Sequence, residues 1–163
     1  MHDYAKIYDD YADAIFRYCY LRVSDREKAK DIMQDVFIKT WEYINRDSTE
    51  EVTNIRAFLY RSARNLIIDS YRKKKSESLD ELMDSGYDIV HHGHKHIQVA
   101  IEFGEAMEFV NKLDERYREV FVMRFVENLS PKEIAELIGE TENNVSVRVN
   151  RAAKKVKELI NEK

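Results

Sequence analysis

The sequence predicts an all-α protein of two small helical domains joined by a flexible linker. Strong helix formers such as Glu, Lys, Ala and Leu are plentiful, whereas the 163 residues include only four glycines and one proline. Apolar residues recur at spacings of three and four along most of the chain, the period of an amphipathic helix. Because this periodicity lapses in the middle, we expect an N-terminal domain at 1–75, a linker at 76–98 and a C-terminal domain at 99–163.

The first two helices are expected at residues 4–22 and after Ser24. Ser24 is a good N-cap for the second helix because Glu27 follows it three residues later. The first helix is expected to bury Ile7, Tyr8, Tyr11, Ala14, Ile15, Tyr18 and Cys19. The second is expected to bury Ala29, Ile32, Met33, Val36, Phe37, Thr40, Trp41 and Ile44. Its other face offers polar groups to solvent or to a partner: Lys30, Asp31, Gln34, Asp35 and Lys39.

A third helix is expected at 55–75, after a polar loop at 46–54. Its apolar stripe runs from Ile55 to Ile67, and the opposite side of the helix carries Arg61, Arg64, Asn65, Ile68 and Arg72. Residues 54–75 hold seven Lys and Arg against one Asp. A helix of this length spans about 30 Å, so it can lay several cations along a DNA backbone.

The C-terminal third carries the sharpest local signal. Helical patterns at 97–112 and 113–128 come first, and the second is expected to turn inward Tyr117, Val120, Phe121, Arg124 and Phe125. Ser130 and Glu133 then form a capping box, with Pro131 at the first helical position and Gly139 ending the helix. The next helix is expected to bury Val145, Val149, Ala152, Val156, Leu159 and Ile160. The pattern indicates a helix-turn-helix whose second helix can enter the major groove of DNA.

The distribution of charge supports contact with a polyanion at two places. The net charge is -4, but residues 54–75 and 141–163 are basic while the intervening and N-terminal segments are acidic. Two basic faces and separate acidic faces suit a protein that binds DNA and also a second partner. Charge alone is equally compatible with ordinary solvated helix faces.

Several segments, in this order, resemble the sigma-70 family of RNA polymerase sigma factors, in its small two-domain extracytoplasmic-function (ECF) group. Residues 25–41 are similar to the family's helix that docks on the polymerase. Residues 57–74 resemble the segment that meets the minus-ten promoter element. Leu113, Tyr117 to Phe121, Leu129 to Ala135 and Val145 to Ala152 resemble the domain that binds the minus-thirty-five element.

The resemblance implies a factor that binds core RNA polymerase and directs promoter recognition, strand opening and initiation. It implies polymerase contacts from Asp31, Gln34, Asp35 and Lys39. Contacts near the minus-ten element are expected from Arg61, Arg64, Asn65, Arg72, Lys73 and Lys74, with Asn65 and the loop 46–54 placed to capture an unstacked base. The recognition helix is expected to contact DNA through Asn144, Val147, Arg148, Arg151 and Lys155.

The recognition helix departs from the family's commoner pattern at Ser146, Val147 and Asn150, which leaves the promoter sequence open. The regulon and the inducing signal are equally open. Many relatives are held inactive by an anti-sigma factor, so such a protein is a further candidate partner. The expected promoter contacts require that Arg61, Arg64, Arg148 and Arg151 are not tied up in internal ion pairs.

Other classes of function fit the residue pattern less well. A dimeric helix-turn-helix repressor with an N-terminal sensor or oligomerisation bundle remains the alternative, although a sensor has no need of the polar face around Asp35. The histidines at 91, 92, 94 and 96 could bind zinc weakly, but a solvated linker is the simpler interpretation and no metal site is assigned. Neither a phosphate-binding glycine loop nor a nucleophile with a histidine base is evident, so we expect no catalysis and no cofactor. No segment suits a membrane span or signal peptide, which favours the cytoplasm.

Overall fold

The computed structural model describes residues 3–46, 54–81 and 106–162, and within these ranges every regular element is a helix. The chain divides into two compact units, Met1–Gly93 and His94–Lys163. The predicted all-α class is therefore confirmed. The exact domain boundaries stay a prediction.

The N-terminal unit is built from three helices: α1 (Tyr4–Val23), α2 (Arg26–Ile44) and α3 (Ile55–Glu81). Each packs against the other two. Their shared core contains Ile7, Ile15, Tyr18, Cys19, Ala29, Ile32, Val36, Phe37, Leu59, Tyr60, Ala63 and Ile67. Tyr18 and Tyr60 meet edge to face in this core, with ring centroids 5.4 Å apart. Burial of this apolar surface holds the three helices together.

The caps between α1 and α2 differ from the prediction. Ser24 ends α1 in the left-handed region, with φ of 55°, and its backbone N–H donates to Tyr20. Asp25 is the N-cap of α2, since its side chain accepts from the backbone N–H of Lys28. The prediction of Ser24 as the N-cap was wrong by one residue because Ser and Asp are both good caps and the sequence places them side by side.

Two aromatic residues expected in the core are exposed instead. Trp41 is 51% exposed and Tyr8 41% exposed. The ring of Trp41 packs edge-on against Tyr4 at 5.0 Å, and the ring of Tyr8 packs against Phe37 at 4.9 Å. Helical spacing places both residues on the correct side, but they lie at its margin, where one ring edge packs and the rest meets water.

Helix α3 continues to Glu81, six residues beyond its expected end at 75 and into the segment predicted as linker. Residues 76–81 include glutamate and leucine, which are good helix formers, and neither glycine nor proline, so nothing local stops the helix. The remainder of the predicted linker, including the histidine cluster, lies outside the described residues.

The C-terminal unit contains α4 (Ala106–Val110), α5 (Glu115–Phe121), a π-helical turn (Val122–Val126), α6 (Pro131–Ile138) and α7 (Glu142–Asn161). Helix α7 packs on α4, α5 and α6. The core is formed by Phe109, Val110, Leu113, Val120, Val122, Met123, Val126, Leu129, Ile134, Ala135, Leu137, Val145, Val149, Ala152 and Val156. The unit thus has an apolar core of its own.

The π-helical turn was not predicted, and it changes which residues are buried. The backbone N–H of Glu127 donates to the carbonyl of Val122, five residues earlier, at 3.0 Å. The extra residue in this turn rotates the following side chains, so Met123 and Val126 are buried while Phe125 is 44% exposed. The expectation that Phe125 points inward was therefore wrong.

The corner between α6 and α7 follows the prediction closely. The hydroxyl of Ser130 accepts from the N–H of Glu133, and the carboxylate of Glu133 accepts from the N–H of Ser130, both at 3.1 Å. Gly139 ends α6 with φ of 74°, a conformation that residues with a Cβ rarely adopt. Thr141 then caps α7 through the N–H of Asn144. Residues 130–160 form two helices that meet at a sharp corner, as a helix-turn-helix requires.

Candidate nucleic-acid interface

The exposed face of α7 borders a cavity of about 650 Å³ on the C-terminal unit. Its lining combines four residues of α7 with residues from the start of α5 and from the corner before α7: Asp114, Arg116, Tyr117, Glu140, Asn144, Val147, Arg148 and Arg151. Four of the five residues predicted for the recognition helix therefore lie together at one concave, polar site. Such a site can hold a strand of polyanion against several hydrogen-bond donors.

One of these residues is not available as predicted. Nη2 of Arg148 donates to both carboxylate oxygens of Glu140, each at 2.7 Å. The side chain of Arg148 is only 12% exposed and that of Glu140 is 33% exposed. The expectation that Arg148 makes no internal ion pair was wrong, because the tight corner at Gly139 brings Glu140 back over the second turn of α7.

Arg151 is more accessible than Arg148. It is exposed, it lines the same cavity, and it has no ion pair within the described residues. Asn144 and Val147 are also exposed, with Val147 40% accessible. An arginine and an asparagine on one helix face are the side chains that pair bidentately with guanine and adenine edges.

Lys155 lies one turn further along α7 and has a different environment. Its Nζ lies 4.3 Å from the centroid of the Tyr117 ring, a cation–π geometry. This contact ties α7 to α5. Lys155 does not line the cavity, so the structure separates it from the other four predicted residues.

Among the charged residues that line the cavity and that sequence reasoning missed are Arg116 and Glu140. Arg116 is exposed near the N-terminus of α5 and lies in a segment whose overall charge is acidic, which hid it. Glu140 follows the helix-ending Gly139, so a search of positions next to the corner would have found it. Neither residue belongs to the recognition helix, and only the fold brings them to it.

The second predicted DNA-contacting surface lies on α3. Arg61, Asn65, Arg72 and Lys73 are exposed there, at helical spacings that place them along one side. Arg64 is half-buried and engages in an interaction within the structure. The side chain of Lys74 and the loop residues 47–53 lie outside the described residues.

The predicted polymerase-contacting surface lies on α2. Asp31, Gln34, Asp35 and Lys39 are all exposed. Sequence reasoning missed Ile38, which is 53% exposed and lies among these residues on the same side of the helix. An exposed isoleucine among charged and polar residues is typical of a protein interface with an apolar centre and a charged rim.

Tyr4 of α1 packs against α2 at Phe37 and Trp41. Its hydroxyl donates to the carbonyl of Phe37 at 3.1 Å, and its ring meets Trp41. Burial raises the pKa of the Tyr4 phenol, and the nearby Tyr8 adds to the shift. Tyr4 therefore stays a neutral donor at physiological pH and fixes α1 against α2.

Within residues 3–46, 54–81 and 106–162, the protein offers neither a cluster of metal ligands nor a membrane span. These residues contain no group of three or more His, Cys, Asp and Glu side chains arranged to hold a metal ion. Of the helices described, none has both the length and the apolarity needed to cross a bilayer. The histidines at 91, 92, 94 and 96, to which no metal site is assigned, lie outside the described residues.

Comparison with known proteins matches each unit to a different region of one family. Residues 7–77 match Sigma-70 region 2, and residues 103–156 match Sigma-70, region 4. The chain is 32% identical to the ECF RNA polymerase sigma factor SigW of Bacillus subtilis (strain 168), over 91% of this chain and 83% of SigW. It is 30% identical to the RNA polymerase sigma factor SigZ of the same strain, over 94% of this chain and 85% of SigZ.

The fold also resembles a solved sigma factor. RpoE from Bartonella quintana, determined in complex with the anti-sigma factor NepR, matches with a TM-score of 0.77 at 21% identity, over 99% of this chain and 98% of RpoE. CnrH, solved with the cytosolic domain of CnrY, matches with a TM-score of 0.68 at 20% identity, over 98% of this chain and 88% of CnrH. Both likenesses concern the fold.

A helical unit followed by a helix-turn-helix unit, each matching its own sigma-70 region, defines an RNA polymerase sigma factor of the sigma-70 class. Because its sequence is 32% identical to that of SigW over most of both chains, the protein belongs to the ECF sigma factors. The alternative of a dimeric repressor is not favoured, because the region 2 match covers the half that a repressor would use for sensing or oligomerisation.

Proposed function

We propose that this ECF sigma factor binds core RNA polymerase through α2, contacts the minus-ten element through α3 and contacts the minus-thirty-five element through α7. The observation that carries the proposal is the presence of both sigma-70 regions in one chain, each on a unit with an exposed basic helix face. Phosphate contacts from these faces position the duplex, and side chains in the groove select the sequence.

The proposed polymerase contact is a patch on α2 formed by Asp31, Gln34, Asp35, Ile38 and Lys39. The exposed Ile38 supplies apolar area at its centre, and the carboxylates supply charge complementarity to a basic partner. An acidic surface cannot bind DNA favourably, so this face and the two basic faces are assigned to different partners.

The proposed promoter contacts differ between the two units. On α3, the exposed Arg61, Arg72 and Lys73 contact phosphates, while Asn65 lies where the family captures an unstacked base. On α7, Asn144, Val147 and Arg151 are presented to base edges, and Arg148 joins them once its pair with Glu140 opens. Arg116 adds a cation from the opposite wall of the cavity.

The proposed mode of action is binding without catalysis. The chain acts with RNA polymerase in the cytoplasm, and it supplies promoter selection to an enzyme that performs the chemistry. An anti-sigma factor is a further proposed partner, since proteins of this fold have been solved with one.

The test is run-off transcription with purified core RNA polymerase and a promoter library. We expect transcripts from a defined set of promoters that core alone ignores. The Asp35→Lys variant should weaken association with core by about tenfold or more. The new lysine would face the basic partner surface that the aspartate attracts, and the two positive charges would repel each other. Core association is measured by fluorescence anisotropy at moderate salt.

The matched control is Asp13→Lys, which reverses an exposed carboxylate on α1, outside the α2 patch. It should bind core like the unmodified protein. Equal weakening by both variants, or no association of the unmodified chain with core, would contradict the proposal.

A further inference from the structure

We infer that Glu140 is an internal competitor of DNA for Arg148, so that this carboxylate lowers the affinity of the recognition helix for DNA. The inference rests on the proposed function, because it takes α7 as the DNA-contacting helix. It assigns to a residue outside that helix a role in setting how strongly the helix binds.

The geometry of the pair supports competition. One guanidinium nitrogen of Arg148 donates to both oxygens of Glu140 at 2.7 Å, within the range of charge-assisted hydrogen bonds. A carboxylate and a DNA phosphate present similar oxygen pairs to a guanidinium. The nitrogen that holds Glu140 cannot donate those hydrogen bonds to a phosphate or to a guanine edge at the same time.

The partial burial of Arg148 favours the ion pair in the absence of DNA. The Arg148 side chain is 12% exposed, so solvent screens the pair less than it would on an open surface. Glu140 is held at a fixed place by the left-handed Gly139 before it and by the Thr141 cap after it. Little conformational entropy is therefore lost when the two side chains meet.

The surroundings of the pair distinguish competition from a purely structural role. Glu140 and Arg148 lie in the lining of the same cavity as Arg116, Asn144 and Arg151. A carboxylate here repels an incoming phosphate and also occupies a guanidinium that would attract it. Repulsion of the phosphate does not depend on Arg148, whereas competition for the guanidinium does. Removing Arg148 therefore distinguishes the two effects.

The experiment measures binding of the full chain to a fluorescent duplex at low salt for four proteins. These are the unmodified chain, Glu140→Gln, Arg148→Ala and the double variant. We expect Glu140→Gln to tighten binding by about two- to fivefold, the size expected for releasing one ion pair near the surface. In the Arg148→Ala background the same substitution should have a clearly smaller effect.

Two controls accompany these variants. Glu142→Gln also removes one negative charge, but Glu142 lies two residues after Glu140 and does not line the cavity. This control should therefore tighten DNA binding less than Glu140→Gln does. Thermal unfolding of each variant shows whether the fold is retained, which is expected because Glu140 is exposed.

Three outcomes would overturn the inference. Equal tightening in both backgrounds would mean that Glu140 acts only by general repulsion. Weaker binding of Glu140→Gln would mean that Glu140 positions Arg148 for contact instead of competing. No binding by either the unmodified chain or Glu140→Gln would mean that releasing Arg148 brings no DNA contact. Run-off transcription by the unmodified chain is scored separately, so failure of the proposed function is distinguishable from each of these.

Discussion

The two basic helix faces of this sigma factor differ in how much the fold constrains them. On α3, the exposed cations lie along one side of a helix, in positions that the sequence pattern alone explains. On α7, Arg148 and Arg151 line a cavity to which α5 also contributes, and Arg148 is held there by Glu140. A row of exposed cations suits contacts to phosphates, whereas a concave site suits selection among base edges.

This difference shows how one chain can have one surface whose DNA binding depends weakly on the base sequence and another whose DNA binding depends on it strongly. Exposed lysines and arginines gain affinity from counterion release and carry little sequence information. Side chains whose rotamers are limited by neighbours lose less entropy on contact and discriminate better between bases. We therefore propose that α7 contributes most of the selectivity for duplex DNA, and α3 most of its salt-dependent attraction.

The largest expected effect comes from breaking the core under α7. Ile134 is fully buried between α6 and its neighbours, so Ile134→Ala should destabilise the C-terminal unit by about 2–5 kcal/mol. Selection at the minus-thirty-five element should be lost, while core association through α2 should largely persist. Thermal unfolding and core-binding anisotropy measure the two effects.

Its counterpart is Ile67→Ala, which removes an equally buried side chain from the N-terminal unit. This variant should impair core association more than Ile134→Ala does. If both variants weakened core binding equally, the division of labour between the units would be wrong.

A smaller effect is expected from Arg151→Ala, which removes an exposed guanidinium from the cavity without disturbing the core. Loss of a bidentate contact to a base should cost about 1–3 kcal/mol at promoters with the matching base pair and much less at others. Competition transcription over the promoter library measures this discrimination. A uniform loss at every promoter would indicate that Arg151 contacts only phosphates.

The smallest effect is expected from Arg61→Ala on α3. The variant should weaken duplex binding about equally for all sequences and reduce the slope of log affinity against log salt by about 0.9, the value for one phosphate contact. Binding titrations at several salt concentrations measure the slope. Strong dependence of the loss on promoter sequence would contradict the assignment of α3 to backbone contact.

The sequence predicted the elements more reliably than the environment of each side chain. The capping box of Ser130 and Glu133 and the stop at Gly139 follow local rules, so both appear as expected. Trp41 and Phe125 were expected inside and lie partly outside, because helical periodicity gives a residue's direction but not the depth of the neighbouring helix there. The π-helical turn that contains Phe125 has no simple signature in the residue pattern.

The candidate sites likewise divide into features that the sequence predicted and features that it did not. The exposed positions on α2 and α3 were predictable because one helix face defines them. The cavity was not predictable as a whole, since Arg116 and Glu140 reach it from other elements. The missed Ile38 could have been found from its position among Asp31, Gln34 and Asp35, where an apolar residue has no core to enter.

By itself, the sequence determined the helical class, the sharp corner before α7 and the two basic faces, because these depend on neighbours within a few residues along the chain. Only the tertiary structure decided that Arg148 is held by Glu140, that Lys155 lies over Tyr117 and that α5 lines the cavity beside α7. These features depend on the packing of α5, α6 and α7, and hydrogen bonds and ring contacts require distances of a few ångströms that residue spacing does not specify.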